Sequence, residues 1–134
     1  MAALTYLDTN CLIAYADAEP QRRAKVMALL SDPQRAFMYS SFTTLETLAL
    51  ALHYQKPQRA WFFRFYLNLC AYHSDNLVEI MREAHRLAEK YGVVGLDACH
   101  LAAAIVGQAE EFYTFEKPTK PLFRTREIKV YSLL

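Results

Sequence analysis

The stretch Leu4-Thr5-Tyr6-Leu7-Asp8-Thr9-Asn10-Cys11-Leu12-Ile13-Ala14-Tyr15 decides the fold. An apolar run ends at a carboxylate, the polar triplet Asp8-Thr9-Asn10 follows, and Cys11 to Ala16 resumes as an apolar helical turn. A buried strand that stops at an acid and feeds a helix is how an open α/β sheet builds a site at the carboxyl ends of its strands. Asp8 also has a purely structural reading, as the N-cap of the helix it precedes, and one acid alone does not separate the two.

Working outward, Glu19-Pro20 marks a helix start, and Arg22 to Leu30 sets Val26, Met27, Leu29 and Leu30 beside Arg22, Arg23 and Lys25. Ala36 to Ser40 reads as a second buried strand, and Thr43 to His53 as one helix with Leu45, Leu48, Ala49 and Leu52 at helical spacing. Gln58 to Tyr72 is an aromatic-dense helix whose rings suit a core or a dimer face better than a base-stacking platform. Asn76 to Tyr91 is amphipathic, with Leu77, Ile80, Met81, Ala84, Leu87 and Ala88 on one side, and Gly92 closes it. Asp97 opens a helix to Val106, Glu111 to Phe115 reads as a strand leading into Glu116, and Ile128 to Leu134 as a last strand. The prolines of Lys117-Pro118-Thr119-Lys120-Pro121 keep that segment irregular. Strands alternating with helices predict an α/β fold with a parallel sheet between helices.

With 134 residues, the chain reads as one domain over 1–134, large enough to bury a real core. A formal net charge of +1 supplies no global attraction for polyanions, so any such binding must come from a local patch. Cys11, Cys70 and Cys99 form no paired metal spacing; they read as reduced, small buried hydrophobes of a cytoplasmic protein. Asp97 and His100 interrupt the most apolar stretch, Leu96 to Val106, so no membrane span is expected, and no signal peptide is read.

Four carboxylates then stand at junctions where the apolar pattern changes: Asp8 after the first strand, Glu46 in the first turn of a helix, Asp97 at a helix start and Glu116 after a late strand. Strand ends share one edge of such a sheet, so these acids can converge. Converging carboxylates repel one another, and a hard divalent cation resolves the repulsion. An all-oxygen donor set selects Mg²⁺ or Mn²⁺ over zinc. Local alternatives exist for each: Thr43-x-x-Glu46 fits a capping box, Asp97 an N-cap, and Glu116 a solvated loop charge.

Leu7-Asp8-Thr9-Asn10-x-Leu12-Ile13, Ser41 to Glu46, Gly95-Leu96-Asp97-Ala98-Cys99-His100-Leu101-Ala102-Ala103-Ala104 and Tyr113-Thr114-Phe115-Glu116 resemble, in order and spacing, the successive signatures of the PIN domain. The resemblance covers nearly the whole chain, and its first and third blocks are the most specific. It implies a PIN-like three-layer α/β/α sandwich with a mainly parallel sheet, in which acidic residues hold Mg²⁺ or Mn²⁺ for RNA cleavage. Many bacterial members of this size are VapC-type toxins, usually homodimeric and paired with a small antitoxin. Asp8, Glu46 and Asp97 fall on the three main acidic positions, and Glu116 on a fourth where Asp is commoner. Asn10 and Thr114 match polar positions that orient the acids. His100 is not catalytic in that pattern and reads as a structural hydrogen-bonding residue.

The expected activity is divalent-metal-dependent hydrolysis of RNA phosphodiester bonds. Basic residues Lys117, Lys120, Arg124 and Arg126 follow the fourth acid and are candidates for RNA contact; Arg22, Arg23 and Lys25 form a second, weaker cluster. The competing reading is a catalytically weak or inactive PIN-fold module for nucleic-acid binding or protein interaction, with Glu116 marking a degraded site. Phosphoryl transfer of the haloacid-dehalogenase type also starts from an Asp after a first strand, but it requires a second Asp where Asn10 stands.

Overall fold

A computed structural model describes residues 2–17 and 19–134. Strand β1 (Ala3–Leu7) runs into Asp8, which caps helix α1 (Thr9–Ala16), and α2 (Pro20–Leu30) follows with Glu19 as its N-cap. Strand β2 (Arg35–Ser40) leads to α3 (Ser41–Glu46), α4 (Leu48–His53) and α5 (Pro57–Leu69). A short β3 (Tyr72–Ser74) precedes α6 (Leu77–Tyr91) and α7 (Gly95–Val106). The chain ends with β4 (Glu111–Thr114), a 3-10 turn (Pro121–Arg124) and β5 (Lys129–Ser132).

All four strand pairings are parallel, and the sheet order is β3-β2-β1-β4-β5. Side-chain alternation divides the core. Tyr6, Met38 and Phe112 pack with α6 and α7 on one face, while Leu7, Phe37 and Tyr113 pack with α1, α2, α4 and α5 on the other. The result is the three-layer α/β/α sandwich with its sheet wholly parallel. Chain order moves from β1 outward through β2 to β3 and then returns to β4 on the other side of β1. The strand order therefore reverses between β1 and β4, and their carboxyl ends open the crevice in which such sheets build sites.

Three local expectations need correction. The predicted helix Thr43 to His53 is two helices, because the capping box is formed by Ser40 and Thr43 rather than by Thr43 and Glu46, and the first helix starts as soon as β2 ends. The Thr47 hydroxyl then donates back to the Thr43 carbonyl (2.6 Å), and the backbone leaves helical values there (φ −117°, ψ −83°). Glu46 thus ends a helix instead of beginning one. Tyr72, assigned to the aromatic helix, opens the edge strand β3, too short for its periodicity to register. Asp97 lies inside the first turn of α7, whose N-cap is Val94, so it does not cap that helix.

Further differences concern burial. Only Cys11 is buried; Cys70 and Cys99 are partly exposed, and all three are free thiols. In α6, Ile80, Ala84 and Leu87 form the buried seam, while Leu77 and Met81 of the expected apolar face are exposed. In α5 the rings divide: Phe62, Phe63 and Tyr66 are buried, whereas Trp61 (68% exposed) stacks on Phe65 at the surface.

Helix ends are set by glycines for two different reasons. Gly92 takes the left-handed conformation (φ 74°) that terminates α6. Gly107 is needed for closeness: a Cβ there would fall 2.3 Å from Met38 Cε and 3.1 Å from the Ala103 carbonyl oxygen. No helix among the described residues is long and apolar enough to cross a membrane.

Leu101, fully buried in the α6/α7 layer, tests this packing. Leu101→Ala is expected to cost about 2–5 kcal/mol in urea unfolding; a loss well below 1 kcal/mol would contradict the layer assignment.

Candidate functional site

Asp8 is the anchor. The β1/β4 ladder continues one step past β1, with the Asp8 amide donating to the Tyr113 carbonyl (2.9 Å). Its side chain is 5% exposed. Oδ1 accepts from the Thr9 amide (2.8 Å) and Oδ2 from the Thr114 hydroxyl (2.9 Å). The residue that caps α1 is also a buried acid at the strand-order reversal. Burial pushes its pKa up, opposed by the Thr114 and Thr9 hydrogen bonds.

Thr114 and Asn10 are hydrogen-bonded to one another beside Asp8. Thr114 ends β4, fully buried, and its hydroxyl oxygen accepts from Asn10 Nδ2 (3.1 Å) and from the Glu116 amide (3.1 Å). Asn10 Oδ1 accepts the Phe115 amide (3.1 Å). The turn after β4 is therefore fastened to the turn after β1, which fixes where Glu116 leaves the sheet.

Asp97 reaches the same edge from α7. Burial raises its pKa first, and the negative charges of Asp8 and Glu116 raise it further against the pull of Lys120. That coupling brings Asp8, Asp97 and Glu116 into one electrostatic neighbourhood. Glu46 is held differently. Its Oε1 lies 2.5 Å from His100 Nε2 and accepts the Thr9 hydroxyl (3.2 Å), and the His100 hydrogen bond foremost lowers its pKa.

Of the basic candidates, Lys120 lies at the edge of the acids, with Nζ 4.0 Å from Glu116. Arg124 is engaged elsewhere, donating to the Tyr91 carbonyl at the end of α6 (3.0 Å). Arg126 borders a surface depression with Glu110 and Lys129, at the amino ends of β4 and β5 and away from the acids. Lys117 is exposed in the turn that follows Glu116. Arg22, from the weaker cluster, stacks over Phe115 (5.1 Å to the ring centroid), next to Glu116.

His100 and residues that the sequence reading did not single out surround Glu46. A cavity of about 200 Å³ opens beside Glu46, lined by Ile13, Thr47, Tyr54, Lys56, Arg59 and Phe63. Behind Glu46, His100 Nδ1 meets the Tyr6 hydroxyl (2.7 Å), itself 2.7 Å from Ser40 Oγ. The available signal was Tyr6 itself, because a phenol inside a buried strand must find hydrogen-bond partners.

Among the described residues, no three His, Cys, Asp or Glu side chains gather tightly enough to form a complete metal cage. Mg²⁺ does not require one: it is commonly held by one or two carboxylates, with waters and substrate phosphates supplying the rest. Asp8 and Asp97, oxygen donors whose mutual repulsion raises the pKa of Asp97, fit such an ion.

Known proteins place this arrangement. The family model for the PIN domain matches residues 5–118. Among solved structures, a toxin–antitoxin complex from Klebsiella pneumoniae is 25% identical, covering 98% of this chain and 100% of that one with a TM-score of 0.69. VapBC2 from Rickettsia felis, bound to a DNA fragment from its promoter, superposes with a TM-score of 0.71 at 15% identity, covering 96% and 98% of the two chains. DNA-bound VapBC from Salmonella typhimurium gives a TM-score of 0.67 at 20% identity, covering 98% of each. No curated protein matches.

A carboxyl whose pKa is raised on folding favours the folded state while protonated. Its contribution is complete below the ordinary carboxylate range and is lost as the pH rises through the raised value. Cation-free protein should therefore lose stability from Asp8 and Asp97 as the pH climbs out of that range. Glu46 acts oppositely, its contribution present above its ordinary value and lost as the pH falls through the lowered one. Asp97→Asn is expected to raise the urea midpoint at pH 7.5 in the presence of a chelator; an unchanged or lower midpoint would contradict the electrostatic account.

Proposed function

Since the chain belongs to the PIN domain family, we propose that it is an endoribonuclease that hydrolyses RNA phosphodiester bonds with Mg²⁺ or Mn²⁺, acting as the toxin of a toxin–antitoxin pair. The observation that carries this reading is the placing of Asp8 and Asp97 at the strand-order reversal, where burial raises the pKa of both carboxyls and the charge of Asp8 raises that of Asp97 further. The likeness to toxin–antitoxin complexes supports the biological setting.

Asp8 and Asp97 would hold the ion, with Glu46 and Glu116 as further oxygen donors. When bound, it supplies Lewis-acid stabilisation of the charge that develops on the phosphate. The chain's own residues do the rest. Thr114 and the Thr9 amide keep Asp8 in one rotamer, and Asn10 fastens the turn that carries Glu116. Lys120, and Arg22 on its Phe115 platform, place positive charge beside the acids, where an RNA backbone needs it. Lys117 extends that charge along the same turn, whereas the positions of Arg124 and Arg126 support no role for them at the scissile bond.

Cleavage of a mixed RNA pool tests the reading. Wild type is expected to cut only when Mg²⁺ or Mn²⁺ is added, and folded Asp8→Asn and Asp97→Asn to lose at least about 100-fold in rate, as when a charge-stabilising group is removed from a transition state. Cation-independent cutting, or full activity in either variant, would overturn it. A folded protein that neither cuts RNA nor takes up cation would make the chain a non-catalytic interaction module.

A second copy of the chain and a small antitoxin are the proposed partners, and the exposed Trp61–Phe65 stack supports self-association through α5. Sedimentation at micromolar concentration is expected to give a dimer that Trp61→Ser weakens; a monomeric wild type would contradict it.

A further inference from the structure

His100 is 1% exposed and joins the core to the site. On one side Nε2 meets Glu46 Oε1 (2.5 Å), the same oxygen that accepts the Thr9 hydroxyl; Oε2 receives no hydrogen bond among the described residues. On the other side Nδ1 meets the Tyr6 hydroxyl (2.7 Å), whose oxygen lies 2.7 Å from Ser40 Oγ and 3.3 Å from Thr43 Oγ1. Those two hydroxyl oxygens accept backbone amides, from Phe42 and Ser40 respectively, so their own protons remain available to Tyr6.

We propose that Tyr6 and His100 are positioning residues: Tyr6 donates to Nδ1 and fixes the imidazole tautomer protonated at Nε2, and Nε2–H anchors one oxygen of Glu46, leaving the other as the donor for a cation. The ligand half of this inference rests on the reading of Glu46 given above. The proton count supports the arrangement. A carboxylate only accepts, so Nε2 must donate to it; a neutral ring has one N–H, so Nδ1 accepts, and Tyr6 must be its donor. Ser40 and Thr43 then donate to the phenol oxygen. The opposite tautomer would set a nitrogen lone pair against a carboxylate oxygen at 2.5 Å. Glu46 ends a helix on a long side chain, and an anchor on one oxygen removes the rotamer freedom that a weakly held ligand would otherwise lose on binding.

The test uses ¹⁵N-histidine-labelled protein at pH 8 and Mn²⁺ calorimetry without RNA. In wild type the His100 ring is expected to carry its proton on Nε2, and Tyr6→Phe to redistribute it. Mn²⁺ affinity is expected to fall about tenfold or more in Tyr6→Phe and His100→Leu, and less in His100→Gln, whose amide N–H can replace the lost donor. A wild-type ring protonated at Nδ1, or at both nitrogens, overturns the proposal, and this measurement needs no variant to fold. Wild-type Mn²⁺ uptake that survives His100→Leu unchanged overturns this inference alone. Wild type that takes up no Mn²⁺ overturns the cation reading of the previous subsection and the ligand half of this one.

Discussion

Placing Asp8 in the crevice between β1 and β4 sets an ionisable carboxyl where water scarcely reaches it, and the surrounding structure is arranged to hold it there. Burial penalises the charged form. Two hydrogen bonds offset part of that penalty, from the Thr9 amide at the start of α1 and from the Thr114 hydroxyl at the end of β4. They come from different elements, so holding one carboxylate ties β1 to its following helix and to the neighbouring strand. The sheet order makes this possible, because at the reversal the chain leaves β1 and β4 toward opposite edges of the sheet and a crevice opens between their carboxyl ends.

From that constraint the rest of the site follows. Asp97 meets the same edge half-buried, and its charge adds to that of Asp8. Two such carboxylates make the cation-free fold less stable as they ionise, a cost that a divalent ion would reverse. Glu46 is the exception. It is partnered by His100 and Thr9 and its pKa lies below the ordinary value, so it stays charged without help from a metal.

The strand-to-acid junction at Asp8, the Glu19-Pro20 helix start and the Gly92 helix stop were legible because each rests on local chemistry: periodicity, capping and a left-handed turn. The division of Thr43 to His53 at Thr47 was not, because it turns on whether Ser40 or Thr43 caps the helix, and β2 must be in place before Ser40 can do so. Strand β3 escaped notice because three residues are too few for a period. Among the acids, position in sequence indicated the shared edge but not the division of labour along it. Glu46 reads like Asp8 on paper, and only the packing of α7 against α3 brings His100 to it. Arg124 and Arg126 look like part of one basic run with Lys120, yet the 3-10 turn sends them to the end of α6 and to the opposite edge of the sheet.

Asp8 and Asp97 are proposed to hold one cation between them across the strand-order reversal. Anomalous diffraction from crystals grown with Mn²⁺ addresses it without relying on catalysis. Anomalous density is expected within coordination distance of a carboxylate oxygen of both residues. Manganese bound only elsewhere on the surface, or held by one of the two acids without the other, would contradict it.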